Sequence, residues 1–309
     1  MSLLHRYESG EYLANAPDWH ARDSEWKAGK VHVMVAKHAP EARSICDVGC
    51  GAGEVLAQLQ RRMSKGAQLT GYDIAPEAIA FAKPKENDAL RFSCGDFFGD
   101  GDTYDIVLAL DVFEHVPDYI GFLTALSKRG RGFVFHIPLD INAATVLQRS
   151  KYMMGMRKSF GHLHYFTAET ALATLKDCGY RVVDTVYTWD REMGLFSKPP
   201  RGVTARLKHW GDSAILLAQR FTNTWLQPYW ARVRPQYNLL VFARAEPGGP
   251  RRVAAAAHDL SRAGRRRSPR SSCSPRSSSC WCSTASMTRR SRRCSLAPKR
   301  RRAGRCRSM

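Results

Sequence analysis

The sequence predicts an α/β fold built on a doubly wound parallel sheet. From Ile45 onward, short apolar runs of strand length alternate with amphipathic stretches of helical period. A glycine-rich turn, Gly49–Gly53, follows the first run, and the second run ends in an acid, Asp73. Strands that alternate with helices favour a parallel sheet covered by helices on both faces. A glycine-rich first turn is typical of such sheets when they bind a nucleotide-like cofactor.

The individual elements follow from apolar spacing and from the residues that begin or end a helix. A first helix covers the apolar positions from Trp26 to Val35 and stops at Pro40, Pro76 opens a later helix, and Gly179 caps the last one. The other predicted helices are Glu54–Met63, Glu77–Lys83, Tyr119–Lys128 and Ala168–Cys178. The predicted strands are Ile45–Val48, Gln68–Tyr72, Leu90–Cys94, Asp105–Leu110, Gly132–Ile137, Tyr180–Tyr187 and Tyr237–Arg244.

Three regions are expected along the chain. Residues 1–44 form a lead-in with its helix, residues 45–246 form the α/β domain, and residues 247–309 form a tail. Inside the domain, residues 188–235 are an insert whose aromatic and aliphatic spacing predicts one or two amphipathic helices before the last strand. The insert is interpreted either as a lid over a substrate or as a helical pair on the sheet edge. Adsorption to a membrane surface has no basic face to support it.

The strongly basic composition belongs to the tail. The chain has a formal net charge of +20, yet residues 247–309 hold 18 Lys or Arg and one acid, Asp259, so residues 1–246 are nearly neutral. The tail is rich in Arg, Ser, Ala, Gly and Pro and has no apolar periodicity, which predicts disorder. An RNA-binding Arg/Ser segment is one interpretation. A disordered appendage, even an out-of-frame translation of GC-rich DNA, is the favoured one.

Composition also bears on location. No apolar stretch approaches the ~20 residues that a membrane span needs, and Met1–Gly10 has no apolar core of signal-peptide length. The cysteines of the body lie in or beside apolar runs, and no C-x-x-C pair occurs. We therefore expect a protein of the reducing cytoplasm.

The glycine turn and the acid after it carry the first chemical signal. Gly49, Gly51 and Gly53 let the backbone turn sharply and approach a ligand where a Cβ would clash. Amides at the start of the following helix favour an anionic group. Asp73 lies 24 residues after Gly49, close to the ~20-residue interval at which an acid reaches a ribose diol. Together they predict a cofactor that contains a nucleoside.

Two features favour S-adenosylmethionine over a nicotinamide dinucleotide. Glu54 stands where the dinucleotide pattern needs a later glycine, so no pyrophosphate cradle is evident and an acid lies near a cationic sulfonium. No Tyr-x-x-x-Lys pair occurs to supply the acid of a short-chain dehydrogenase.

These motifs, in this order, resemble a class I S-adenosylmethionine-dependent methyltransferase of the broad group that acts mostly on small molecules. The resemblance covers residues 45–186, and more loosely 11–246. The matching segments are Ile45–Gly53, Gly71–Ile74, Cys94–Phe97, Tyr104–Val107 and Leu110–Val116. The resemblance implies seven strands, mostly parallel, with the last, Tyr237–Arg244, antiparallel. It also implies that Asp18–Lys27 closes over the cofactor, with Lys27 and its neighbour Trp26 as contacts.

The family's roles carry over by position. Asp47 and the glycine backbone would hold the methionine part, and Asp73 the ribose hydroxyls. Asp96 would accept from the adenine amine, while Phe97 donates its amide or lines the ring. Leu110 and Asp111 would lie beside the methionyl group and the sulfonium. The expected cofactor-binding residues are Asp47, Gly49, Cys50, Gly51, Gly53, Asp73, Ile74, Asp96, Phe97, Leu110 and Asp111.

A hydroxyl or ammonium acceptor also needs a base, and three histidines are candidates. His115 follows the fourth strand, while His162 and His164 follow the fifth, at the edge of the sheet where ligands bind. His115 is alternatively a structural hydrogen-bonding residue, and His136, on a strand, is expected in the core. We expect no metal, because no acidic cluster accompanies His162 and His164 in the sequence.

The expected acceptor is a small molecule, or a lipid or sugar intermediate, methylated on oxygen, nitrogen or carbon. A nucleic-acid methyltransferase is the first alternative. Enzymes that methylate base amines usually carry Asn/Asp/Ser-Pro-Pro-Tyr/Phe after the fourth strand, where this chain reads Leu110–Phe113. A non-catalytic module that only binds the cofactor is the second alternative. An NAD-dependent oxidoreductase ranks below both, and the sequence leaves the oligomeric state open.

Overall fold

A seven-stranded mixed sheet is the central element of the described residues in the computed structural model of the protein. It describes residues 23–64, 66–99, 101–148, 151–190 and 226–246. The strands are β1 Ser44–Val48, β2 Gln68–Asp73, β3 Leu90–Cys94, β4 Tyr104–Leu110, β5 Gly130–Pro138, β6 Tyr180–Trp189 and β7 Tyr237–Ala245. Their order across the sheet is β3-β2-β1-β4-β5-β7-β6. The pairs among β1 to β5 are parallel, and β7 is antiparallel to both neighbours, β5 and β6, which confirms the predicted fold class.

Helices cover both faces of the sheet, as a doubly wound fold requires. Their bounds are α1 Ser24–His38, α2 Glu54–Gln60, α3 Pro76–Ala82, α4 Tyr119–Leu126, α5 Ala143–Leu147, α6 Lys151–Ser159 and α7 Ala168–Asp177. Apolar residues of α1, α2 and α3 share one core with strand residues such as Ile106 and Leu108. Residues of α4 and α7 share the other core with their strand neighbours Val107 and Ala109. Because successive side chains of β4 enter opposite cores, the strand reads as one continuous apolar run.

The end signals of the helices act as predicted. Pro76 is the first residue of α3, where its missing N–H costs nothing. Gly179 follows α7 with a φ of 90°, the left-handed conformation that favours glycine. The end of α2 was predicted too late, at Met63. The helix ends at Gln60, because the Leu59 carbonyl accepts from the amides of both Arg62 and Met63 and closes the turn.

The region around the insert differs from the prediction in two ways. Strand β6 continues to Trp189, because Thr188 pairs with Asn238 and Trp189 with Tyr237, so the insert begins later than residue 188. Between β5 and α7 lie α5 and α6, which the sequence analysis missed, since α6 has no buried residue to set an apolar period. Residues 226–233 are helical, in agreement with a helical insert.

Several expectations fall outside the described residues. They concern the lead-in before residue 23, the insert from 191 to 225 and the tail from 247. Within the described ranges, no helix is both long enough and apolar enough to cross a membrane.

Candidate active site

The glycine turn after β1 is held by β2 and leaves no room for larger residues. The amides of Gly49 and Cys50 both donate to the Tyr72 carbonyl, at 2.8 and 3.0 Å. Gly49, Gly51 and Gly53 all have φ between 54° and 76°. A Cβ on Gly49 would lie 2.7 Å from a Val112 methyl carbon, and one on Gly53 would lie 2.5 Å from the Phe92 ring. The turn therefore presents bare backbone at the carboxyl end of β1, as a cofactor cradle requires.

Asp73, at the end of β2, ties this turn to the next one. Its Oδ2 accepts from the Gly51 amide at 2.8 Å, and its Oδ1 accepts from the Ala75 amide at 2.9 Å. Burial raises the pKa of this carboxyl, while the backbone amides act in the opposite direction. Ile74 beside it is half exposed. Each carboxylate oxygen keeps a lone pair with which it can accept from a ribose hydroxyl.

Asp47, at the end of β1, is a buried acid that lacks a full set of partners. It is 3% exposed, and no described group hydrogen-bonds its Oδ1. Burial, aided by the negative charge of Asp73, raises its pKa to about 8. A buried carboxylate with an unused acceptor is stabilised by a cation that brings donors. The ammonium group of a methionine moiety has that chemistry, so the residues present fit S-adenosylmethionine.

The turn after β3 supports part of the expected adenine site. Asp96 is exposed, and its Oδ1 accepts from the Phe98 amide at 3.0 Å. The Phe97 ring is 3% exposed and packs edge-on against Tyr72, with the Arg129 guanidinium 4.5 Å from its centre. Since that ring is in the core, only the backbone of Phe97 remains available to a cofactor.

Asp111 directly follows Leu110, the last residue of β4, and joins three elements. Its φ of 55° is left-handed, an unusual conformation for a residue with a side chain. Its Oδ1 lies 2.6 Å from His136 Nδ1 on β5, and its Oδ2 lies 2.8 Å from Lys27 Nζ on α1. Burial opposes the charge, but His136 and Lys27 hold the pKa of Asp111 well below its usual range.

Lys27 and His136 therefore both lie beside Asp111, at the carboxyl end of β4. Lys27 also pairs with Asp23 at 2.8 Å; burial opposes its charge, yet the two acids raise its pKa. His136 is buried, as expected, and its Nε2 lies 2.9 Å from Thr188 Oγ1. The Trp26 ring stands edge-on to His136, 6.1 Å between centres. This arrangement places α1 directly over the end of β4, where the cofactor's methionyl group is expected.

The rings of two of the three candidate histidines are in contact, and the third histidine has a different partner. The rings of His115 and His162 are 4.9 Å apart and perpendicular. His162 is buried, and its Nδ1 lies 2.7 Å from Asp140 Oδ2. His164 turns toward the backbone, where its Nε2 lies 3.0 Å from the Val116 carbonyl oxygen.

The expectation that no acidic cluster accompanies His162 and His164 is wrong for His162. Asp140 pairs with His162, and Glu114 lies beside His115, whose Nε2 is 3.8 Å from Glu114 Oε1. Neither acid was predicted as a partner of His162, because both lie far from it in the chain. Glu114 lies within the motif Leu110–Val116, which the sequence analysis identified. Its contact with His162, which lies beyond β5, depends on the fold.

Comparison with known proteins gives the family. A family model described as a methyltransferase domain matches residues 19–185, more than half of the chain. The chain belongs to this methyltransferase family, which confirms the expected class of enzyme and its cofactor, S-adenosylmethionine.

Named relatives share part of the chain. It is similar to the ubiquinone biosynthesis O-methyltransferase of Methylobacterium nodulans, with 27% identity over 195 residues, covering 58% of this chain and 74% of that protein. The ubiquinone biosynthesis O-methyltransferase of Photobacterium profundum is 32% identical over 114 residues, which cover 34% of this chain and 47% of the relative. The chain thus spans about half the length of several curated relatives it matches.

The chain is also similar to parts of several solved structures. One is magnesium protoporphyrin IX methyltransferase from Synechocystis PCC 6803 with bound S-adenosylhomocysteine, at 18% identity and a TM-score of 0.46, covering 72% of this chain and 83% of that one. Another is the plantazolicin methyltransferase BpumL, at 19% identity and a TM-score of 0.47, covering 77% of this chain and 90% of that one.

Proposed function

We propose that this protein transfers the methyl group of S-adenosylmethionine to a hydroxyl oxygen of a small molecule. One observation carries the choice of an acceptor that gives up a proton. The turn that holds Asp111, expected beside the sulfonium, continues within four residues into Glu114 and His115, and these meet His162. A hydroxyl must lose its proton as it is methylated, and a histidine–carboxylate cluster is a group that can take it. An ammonium acceptor would need the same base, and the relatives named as O-methyltransferases favour the hydroxyl.

We assign the cofactor-binding residues to separate parts of S-adenosylmethionine. Asp47 and the amides of the glycine turn would hold the methionine part, Asp73 the ribose, and Asp96 the adenine. Leu110 and Asp111 would position the methionyl chain so that its sulfur faces the cluster of Glu114, His115 and His162. Such an arrangement would let the protein hold the acceptor oxygen in line with the methyl carbon and the sulfur.

When bound, S-adenosylmethionine would supply an activated methyl group. The acceptor oxygen would form a bond to the methyl carbon as the bond from that carbon to sulfur breaks, and the electron pair would stay on sulfur to leave S-adenosylhomocysteine. The hydroxyl proton would pass to the cluster of Glu114, His115 and His162, whose buried surroundings would exclude water as a competing acceptor.

We also infer a location in the reducing cytoplasm. The four cysteines within the described ranges are all free thiols, and three of them are buried as small apolar residues.

A panel assay tests the proposal. Release of S-adenosylhomocysteine is measured across phenols, catechols, amines and carbon acids of small size, and the methylated atom is identified by mass spectrometry. We expect turnover with hydroxyl acceptors and an O-methyl product. Methylation of amines or carbon acids alone, or of RNA in preference to small molecules, would contradict the proposed acceptor.

Two variants separate the proposed roles. Asp73→Ala should weaken S-adenosylmethionine binding at least tenfold in calorimetry, and unchanged binding would refute the cofactor site. His162→Gln should leave cofactor binding intact but lower kcat by about 100-fold or more, as the loss of a proton-transfer group does. His164→Gln is the matched comparison from the same segment. A larger loss of kcat in His164→Gln than in His162→Gln would assign the role to His164.

A further inference from the structure

A second feature of the cluster goes beyond proton transfer. Glu114, His115 and His162 each offer one ligating atom, and these atoms all lie within 4.8 Å of one another. Glu114 and His115 belong to the short 3-10 turn after β4, and His162 lies between α6 and α7. The Glu114 carbonyl accepts from the amides of Leu163 and His164, at 2.8 and 3.1 Å. Backbone hydrogen bonds therefore fix the two segments to each other at the point where the side chains meet.

Glu114 is the most unusual member of the cluster. Its side chain is fully buried, and no described group hydrogen-bonds either carboxylate oxygen. His115 Nε2 lies 3.8 Å from Glu114 Oε1. Burial, and after it the negative charges of Asp111 and Asp140, raise the pKa of Glu114. Burying a carboxylate without donors costs several kcal/mol unless a cation or a proton neutralises it. The site is therefore electrostatically incomplete as it stands.

His162 is oriented as metal-binding histidines usually are. Its Nδ1 is paired with Asp140 Oδ2 at 2.7 Å, and both side chains are more than nine-tenths buried. A carboxylate that holds one ring nitrogen fixes the ring and raises the basicity of the other nitrogen. In His162 this other nitrogen, Nε2, remains for a ligand.

We propose that Glu114, His115 and His162 bind a divalent transition-metal ion of the zinc type and leave one coordination position open. Two imidazoles and a carboxylate are the donor set of many catalytic zinc sites, whose fourth position is taken by water or substrate. Atoms bound ~2.1 Å from a tetrahedral ion lie about 3.4 Å apart. The three ligating atoms lie within 4.8 Å of one another, and only small side-chain rotations toward the ion would bring them to that spacing. This proposal reverses the expectation from sequence that no metal binds.

The consequence for the reaction rests on the proposed function. A hydroxyl of the acceptor at the open position would lose its proton more readily, because the cation stabilises the oxyanion. In that case His162 acts on the acceptor through the ion. The binding of the ion itself depends only on the residues of the cluster and can be measured without acceptor or cofactor.

The test uses the full chain after removal of metals with a chelator. Calorimetry with Zn²⁺ alone, and visible absorption with Co²⁺ as a spectroscopic substitute, measure stoichiometry and geometry. We expect one ion per chain at this site, with a tetrahedral Co²⁺ spectrum of nitrogen and oxygen ligands. Glu114→Gln and His162→Gln should weaken this binding at least 100-fold, and Asp140→Asn, which removes the orienting carboxylate, about 10- to 100-fold.

Control measurements show whether a loss of ion binding comes from a lost ligand or from a loss of folding. His164→Gln lies in the same segment but offers no ligand, so its affinity should stay within threefold of the parent. Melting temperatures of all variants show whether they fold, and the Co²⁺ spectrum distinguishes this site from thiolate ligation by cysteines of the tail. Absence of ion binding by the folded parent would overturn the proposal. So would Glu114→Gln and His162→Gln binding as tightly as the parent.

Failure of this inference and of the proposed function can be told apart. A chain that binds the ion but methylates no hydroxyl keeps the metal site and loses the assigned reaction. A chain that methylates hydroxyls after complete metal removal, and binds no ion, keeps the reaction and loses the site. In that second case, an infrared band of a protonated carboxyl that disappears in Glu114→Gln would show that a proton neutralises Glu114.

Discussion

Replacing Asp47 by asparagine should stabilise the cofactor-free protein while weakening its binding of the cofactor. Asp47 is 3% exposed, and burial raises its pKa from an ordinary value of 3.8 to about 8. Between these two values the folded protein binds a proton that the unfolded chain has released. The contribution of Asp47 to the free energy of unfolding therefore falls as the pH rises from about 4 to about 8, and it is constant above that range. Asparagine has nearly the same shape and no charge, so it removes this fall.

The magnitude follows from the pKa. Each unit corresponds to about 1.4 kcal/mol, so the full rise sets an upper limit of about 6 kcal/mol at alkaline pH. Lys27 and other neighbours relax around an ionised Asp47, and a buried group without partners usually costs about 1 to 3 kcal/mol. We expect Asp47→Asn to gain an amount in that smaller range at pH 8.5 and clearly less at pH 5.5.

The assay is denaturant unfolding of parent and variant at both pH values, without cofactor. Calorimetry with S-adenosylmethionine then measures the opposite effect, a loss of affinity of about 10- to 100-fold when the charge-assisted bond to the ammonium is removed. A variant that is equally destabilised at both pH values would refute the reasoning, since it would show that Asp47 contributes by hydrogen bonding and not by its charge.

Two further predictions concern the glycine turn and the tail. Gly53→Ala should lower stability by about 2 to 5 kcal/mol, because its φ is +75° and its Cβ would lie 2.5 Å from the Phe92 ring. Gly29→Ala, in α1 with no atom within 4 Å of its Cβ, should instead stabilise by about 0.5 to 1 kcal/mol, and equal effects in urea unfolding would contradict this difference. Removal of residues 248–309 should leave the melting temperature and methyl transfer unchanged, and a loss of either would show that the tail takes part.

The fold and the positions of the residues proposed to bind the cofactor could be predicted from the sequence, because their signals are local. Apolar runs in β4 and β5 reflect burial on both faces, and each glycine of the turn reflects its own backbone conformation. Asp73 follows its strand at a spacing that any parallel sheet of this type imposes. The weak points were elements without a local period, such as α6, and strand ends that depend on a distant partner, such as the pairing of Trp189 with Tyr237.

By itself, the sequence determined the α/β class, the glycine turn and the order of the acids along the strand ends. Only the tertiary structure decided which charged groups meet. Lys27 reaches Asp111 from a helix far earlier in the chain, and Glu114 meets His162 although one strand and three helices separate them in sequence. The physical reason is that backbone conformation depends on near neighbours, whereas a charge or a ligand set depends on whatever the fold brings within a few ångströms. The glycine turn assigned to the methyl donor thus lies in one segment of the chain. The cluster assigned to the acceptor combines side chains from two segments that are far apart in sequence.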